Sequence, residues 1–138
     1  MTPAAYDAII HAGVPLAAAW GVRVLSAEGG VAWVELPARP ELLRPGNTVS
    51  GPAIMGLADV AMWAALLSLT EGRDESLTAT MNVNFLRPCG PGPLVAEARL
   101  IKAVGRSLFG EVVIRRADAD EICVHVTTGW VRPMPAGR

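Results

Sequence analysis

Residues 50–67, SGPAIMGLADVAMWAALL, are apolar almost throughout and hold one charge, Asp59. A stretch of this kind is long enough for about five helical turns. It has no polar face, so as a helix it must be enclosed on nearly all sides. From Pro52 to Thr70 it approaches the length of a membrane span. The central carboxylate, two helix-weakening residues near its start and the alternating segments that follow argue instead for a helix inside a soluble domain.

The flanking segments supply the enclosure. Residues 4–12 suit a short helix. Trp20 to Ser26 and Val31 to Leu36 alternate as strands, and Glu28-Gly29-Gly30 turns between them as a hairpin. PARPELLRPGN is an irregular loop leading to the apolar helix. Ser50 or Gly51 suits the helix cap, and Pro52 suits the first turn, where a missing N–H costs nothing. After the polar turn 71–75, Leu77 to Leu86 alternates, with Leu77, Ala79, Met81, Val83 and Phe85 expected on one face and Thr78, Thr80, Asn82 and Asn84 on the other. Residues 94–104 and 107–115 form a second expected hairpin across Gly105-Arg106, and 122–131 is a last strand. The order is hairpin, helix, then a meander of about four strands, which is α+β. One flat sheet gives the helix a single wall, whereas a curled antiparallel sheet surrounds it.

The chain has 138 residues, enough for one domain with one core. Its net charge is −1, from 12 basic and 13 acidic residues with no basic run, which argues against a nucleic-acid partner. Cys89 and Cys123 lack metal-ligand spacing, so no metal is expected; two reduced thiols are the favoured reading, with a single disulfide as the alternative. The first twenty residues contain Asp7 and His11 and no basic segment, unlike a signal peptide. A cytoplasmic location is the expectation.

Gly46-Asn47-Thr48-Val49-Ser50-Gly51-Pro52, followed by Leu57-Ala58-Asp59, resembles the phenylacetate-pathway (PaaI-like) branch of the hotdog acyl-CoA thioesterases. In that branch the helix opens with His-Gly-Gly, and an acidic residue follows eight positions after the first Gly. Gly51 and Asp59 have that spacing. Met81-Asn82-Val83-Asn84-Phe85-Leu86-Arg87-Pro88 resembles the family's strand after the helix, and the resemblance covers about residues 20–132 of a single domain. Two positions depart from the pattern: Ser50 stands for the His and Pro52 for the second Gly.

The resemblance implies a hotdog fold and hydrolysis of an acyl-CoA to a carboxylic acid and CoA, with no cofactor beyond the substrate. That chemistry needs a donor for the developing oxyanion and a base or nucleophile. The N–H of Gly51, at the positive end of a helix, suits the first role. Asp59, its pKa raised by an apolar wall, suits the second. Eight residues of helix separate them by about 12 Å, too far to act on one carbon. The family's solution is a homodimer, in which the Gly of one protomer works with the acid of the other, and pairing of dimers into a tetramer is expected. Thr78 falls near the base and is expected to orient the attacking water. Asn47 and Ser50 are candidates for binding the carbonyl, with loop-holding and helix-capping as their competing roles. Arg87 and Arg106 fall where the family meets the nucleotide and phosphates of CoA. A non-catalytic acyl-CoA-binding protein is the competing reading, because the His is missing. A hydratase ranks below both, since no His lies near Asp59 in sequence.

Overall fold

The computed structural model describes residues 1–134. Two helices open the chain, α1 (Pro3–Gly13) and α2 (Pro15–Trp20). The hairpin β1 (Arg23–Glu28) and β2 (Val31–Leu36) follows, then a short arch of β3 (Leu43–Arg44) and β4 (Thr48–Val49). The central helix α3 spans Gly51–Leu67. The remaining strands are β5 (Leu77–Phe85), β6 (Leu94–Lys102), β7 (Ser107–Arg116) and β8 (Ile122–Val131). Six of these strands form one antiparallel sheet in the order β1-β2-β6-β7-β8-β5.

Ser50 caps α3: its backbone is extended, at φ −68° and ψ 153°, and its hydroxyl accepts from Ala53 N–H at 3.4 Å. The helix lies along the inner face of the sheet. Leu57, Met62, Leu66 and Leu67 are fully enclosed, and burying each is worth about 1.5–3 kcal/mol. Ala58, Ala61, Ala64 and Ala65, also fully buried, let the strands approach closely. Gly110 on β7 marks the tightest point, where a Cβ would collide with the end of Met62 and with the Arg99 carbonyl oxygen. The opposing wall is built from the inward residues of the strands, among them Val34, Leu94, Val112, Ile114 and Val126. The apolar stretch is thus a helix enclosed by its own domain, in the hotdog architecture, and no helix of the described residues is long and apolar enough to cross a membrane.

Four sequence expectations are corrected. Trp20 ends α2 rather than starting a strand, because Gly21 turns the chain at φ 75° before β1 begins at Arg23. The 3-residue helical turn Pro40–Leu42 and the β3–β4 arch give structure to the loop read as irregular. The last four strands are not a simple meander, since β5 pairs with β8 at the far edge and β6 inserts beside β2. Finally, a bulge between Thr78 and Thr80 breaks the alternation of β5. Leu77 is consequently 69% exposed instead of sharing the inner face with Met81 and Val83, and Thr78 turns toward α3.

Candidate active site

The bulge in β5 brings two of the sequence candidates together. Thr78 Oγ1 donates a hydrogen bond to Asp59 Oδ1 at 2.6 Å. Asp59 is half-buried, and desolvation pushes its pKa above the usual carboxylate value, while the Thr78 hydrogen bond works in the opposite direction. Sequence analysis assigns Thr78 to the water; in the structure its hydroxyl proton is held by the carboxylate, leaving the oxygen free to accept. Both residues line a cavity of about 380 Å³ whose other walls include Val60, Trp63 and Trp130. The indole N–H of Trp63 donates to the Asp74 carbonyl at 3.3 Å, and that of Trp130 to Thr128 Oγ1 at 3.0 Å. The Asp74 carboxylate is itself engaged by the Ser76 N–H and hydroxyl at 2.9 and 2.8 Å. Asp59 and the exposed Glu75 are therefore the charged groups of this cavity with lone pairs to spare, Asp59 being the half-buried one, and the remaining surface is mostly apolar.

A second cavity, about 520 Å³, opens at the N-terminus of α3. It is lined by Gly51, Ile54, Phe85, Cys89 and the guanidinium-bearing Arg44 and Arg87. Pro52 has no N–H, Ala53 N–H is taken by Ser50 Oγ, and Ile54 N–H is taken by the Ser50 carbonyl at 3.0 Å. Among the described residues, Gly51 N–H is the donor of this first turn without a protein partner. Space beside it is open: a Cβ on Gly51 would meet only Phe85 Cζ, at 3.8 Å.

The other candidates fall as follows. Asn47 sits at the tip of the β3–β4 arch with φ 60°, and its N–H closes a turn onto the Arg44 carbonyl at 3.1 Å. Pro45 and Gly46, the latter at φ 96°, fill the middle of that turn, the arrangement of a type II turn. Asn47 lines neither cavity. Ser50 acts as the helix cap. Arg87 donates to the Ile122 carbonyl at 2.8 Å and lies 3.5 Å from Glu121, at the rim of the Gly51 cavity. Arg106 lines neither cavity; its guanidinium donates to the Arg132 carbonyl at 3.2 and 3.3 Å, at the end of the sheet where β5 begins. Cys89 and Cys123 are free and buried, and burial with the neighbouring Cys123 thiol pushes Cys89 up to about 12. Among the described residues no three His, Cys, Asp or Glu side chains converge as metal ligands.

Sequence reasoning missed Arg44, Phe85 and Trp130 as cavity walls. Only Trp63 carried a signal, standing four residues after Asp59 and so on the same helical face. His11 and His125, given no function from sequence, are engaged elsewhere: His11 Nε2 donates to the Val22 carbonyl at 2.6 Å, and His125 pairs with Glu111 at 3.1 Å on the outer sheet face.

A helix enclosed by a curled sheet, with an acid facing an apolar cavity and an open helix N-terminus, defines a hotdog-fold hydrolase. The chain belongs to the Thioesterase superfamily, whose model matches residues 46–123, from the β3–β4 arch into β8. It is 30% identical over 97 residues to a Saccharolobus solfataricus protein named "Putative esterase SSO2140", covering 70% of this chain and 69% of that one. Among solved structures it is similar to conserved protein PA5202 of Pseudomonas aeruginosa, with 27% identity, a TM-score of 0.79 and 86% and 93% of the two chains covered. The PaaI protein from the phenylacetic acid degradation operon of E. coli shares the fold, with a TM-score of 0.82, 19% identity and coverage of 94% and 91%. Thioester hydrolysis is the general chemistry this membership gives.

Proposed function

We propose that the protein hydrolyses acyl-CoA thioesters in a site completed across a homodimer. One observation carries the reading. The carboxylate of Asp59, oriented by Thr78, lies at one end of β5, and the free N–H of Gly51 lies beside Phe85 at the other end. Among the described residues the outer edge of β5 has no strand beside it, and Leu77, Phe85 and Leu86 stand exposed along it. Antiparallel pairing of β5 with its copy, centred near Met81, sets Leu77 opposite the partner's Phe85. Each Asp59 cavity then adjoins the partner's Gly51 cavity, which removes the separation of about 12 Å within one helix.

In this reading Asp59 is the general base. It takes a proton from a water as the oxygen of that water bonds to the thioester carbon. The carbonyl electron pair moves onto oxygen and is stabilised by the partner's Gly51 N–H. Collapse breaks the C–S bond, and the departing thiolate takes up the proton held by Asp59. The hydroxyl oxygen of Thr78 accepts a hydrogen bond from the water. Arg44 and Arg87 supply planar donors for the CoA phosphates on the partner side. The reaction consumes water alone, so no cofactor is assigned, and chelation with EDTA is expected to leave the rate unchanged. Pairing of two dimers would use the outer face of the sheet, which carries Trp33, Val113 and the His125–Glu111 pair.

The test is CoA release from a panel of acyl-CoAs, combined with subunit mixing. Asp59→Asn and Gly51→Leu homodimers are each expected to be inactive. Co-refolded in equal amounts, half the dimers are mixed and hold one intact site of two, so about a quarter of wild-type activity should return. No recovery, with both variants folded and dimeric, would sink the shared site. Tight acyl-CoA binding without turnover by wild type would leave the binding-protein reading, to which the missing His and Pro52 point.

A further inference from the structure

One aromatic wall of the Asp59 cavity is held in place by the N-terminal helices. Trp63 stands one helical turn beyond Asp59 on α3, about 6 Å further along the axis, and both line the cavity. Its indole is fixed from two sides. The N–H is anchored to the Asp74 carbonyl, and the ring lies over Gly13, where a Cβ would come within 2.9 Å of Cη2 and 3.3 Å of Cζ3. Gly13 closes α1, and Val14, which follows it, lines the same cavity. Both precede the part of the chain that the superfamily model matches. The N-terminal helices are thus joined to the candidate site through a close contact in which a Cβ on Gly13 would press on the Trp63 ring.

The polarity of the two cavities tells which end of a substrate each takes. The Gly51 cavity carries Arg44 and Arg87 and suits phosphates. The Asp59 cavity carries Asp59, Asp74 and Glu75 and no cation, so it repels them. Its aromatic walls have their N–H groups already occupied and present apolar faces. An acyl group running from Asp59 along α3 meets the indole of Trp63 about one helical turn further on. A single ring against that indole would have favourable aromatic geometry.

We propose that Trp63, propped by Gly13, sets the acyl length, restricting this site to short-chain or single-ring acyl groups, so that α1 is part of the specificity apparatus. This rests on the acyl-CoA reading above. The test compares kcat/KM for butyryl-, benzoyl- and dodecanoyl-CoA. Wild type is expected to favour the first two. Trp63→Ala should raise the dodecanoyl-to-butyryl ratio by about tenfold or more, the discrimination that a few methylenes command in a pocket. Trp63→Phe, which keeps most of the packing, should shift the ratio in the same direction by less. Gly13→Ala, which drives the ring into the cavity, should lower benzoyl turnover more than butyryl turnover. An unchanged ratio in folded Trp63→Ala and Trp63→Phe dimers would overturn the inference while leaving the hydrolase reading intact. If wild type turns over none of the three, the hydrolase reading fails instead. Calorimetric binding of the same three ligands to wild type and the two Trp63 variants then decides the role of Trp63 by the same ratio.

Discussion

The two edges of the sheet, β1 and β5, are finished in opposite ways. Each carries a bulge near its start, between Val24 and Ser26 in β1 and between Thr78 and Thr80 in β5. At β1 a helix closes the edge: Asp7 of α1 accepts the outward N–H of Val24 at 2.7 Å, and His11 takes the Val22 carbonyl. Tyr6 and Ile10, both buried, hold α1 against the core. At β5 no strand of the described residues lies alongside, and apolar side chains stand at both ends. An unprotected edge is an invitation to pair with another strand, and proteins normally blunt it. Here one edge is blunted and the other left open, beside the two groups that the proposed hydrolysis uses. The difference fits the proposed dimer, in which the open edge takes a partner strand.

The strongest way to break this contrast is to charge the open edge. Asn82→Lys places like charges diagonally across the proposed strand pair without changing Asp59, Thr78 or Gly51. Light scattering should show a monomer, and kcat/KM should fall by about two to three orders of magnitude, the loss expected when an oxyanion donor is withdrawn. A fully active monomer would show that the open edge is not where the site is completed.

Next in size is the pH behaviour of the carboxylate behind that edge. Asp59 must be ionised to act as a base, and its pKa is raised by burial. The acidic limb of kcat/KM should therefore lie above the pH at which an ordinary Asp titrates. The stability effect has the opposite sense. A raised folded-state pKa means that ionising Asp59 opposes folding, so its favourable contribution is present below the unfolded value and lost as pH rises through the folded one. Asp59→Asn, which retains an acceptor for Thr78, should abolish turnover at neutral pH while Tm stays equal or rises, as measured by calorimetry. A lower Tm in that variant would show that the carboxylate is structural.

Much of the fold was legible because period and punctuation agree with it. The enclosed helix followed from a run with no polar face, and most strand limits followed from alternation. What was not legible depends on contacts far apart in sequence. The crossing of β5 to the far edge is set by which strands cover α3, a choice that period-2 alternation does not encode. The bulge at Thr78 inverts two side chains without changing a single local propensity, so Thr78 read as a residue of the polar face. At the site, Asp59 and Gly51 were visible as oddities of one short segment. Arg44, Phe85 and Trp130 were not, because only the arch, the edge and the last strand together make them neighbours. Trp20 was misplaced for a local reason: Gly21 ends a six-residue helix too short to leave a periodic signal.

The smallest effect belongs to the closed edge and sharpens the contrast from its other side. Asp7→Ala leaves the part-buried Val24 N–H without its acceptor, which costs about 1–3 kcal/mol. The loss should appear as a lower denaturant midpoint with an unchanged slope, while the folded protein keeps its activity and its oligomeric state. Asp7→Asn retains an acceptor oxygen and should recover most of the midpoint. That rescue separates a hydrogen bond from a charge: were the carboxylate acting through its charge, Asn would be no better than Ala. A loss of activity in Asp7→Ala at temperatures where it is fully folded would mean that the β1 edge is coupled to the site. The two edges would then differ in what covers them but not in what they do.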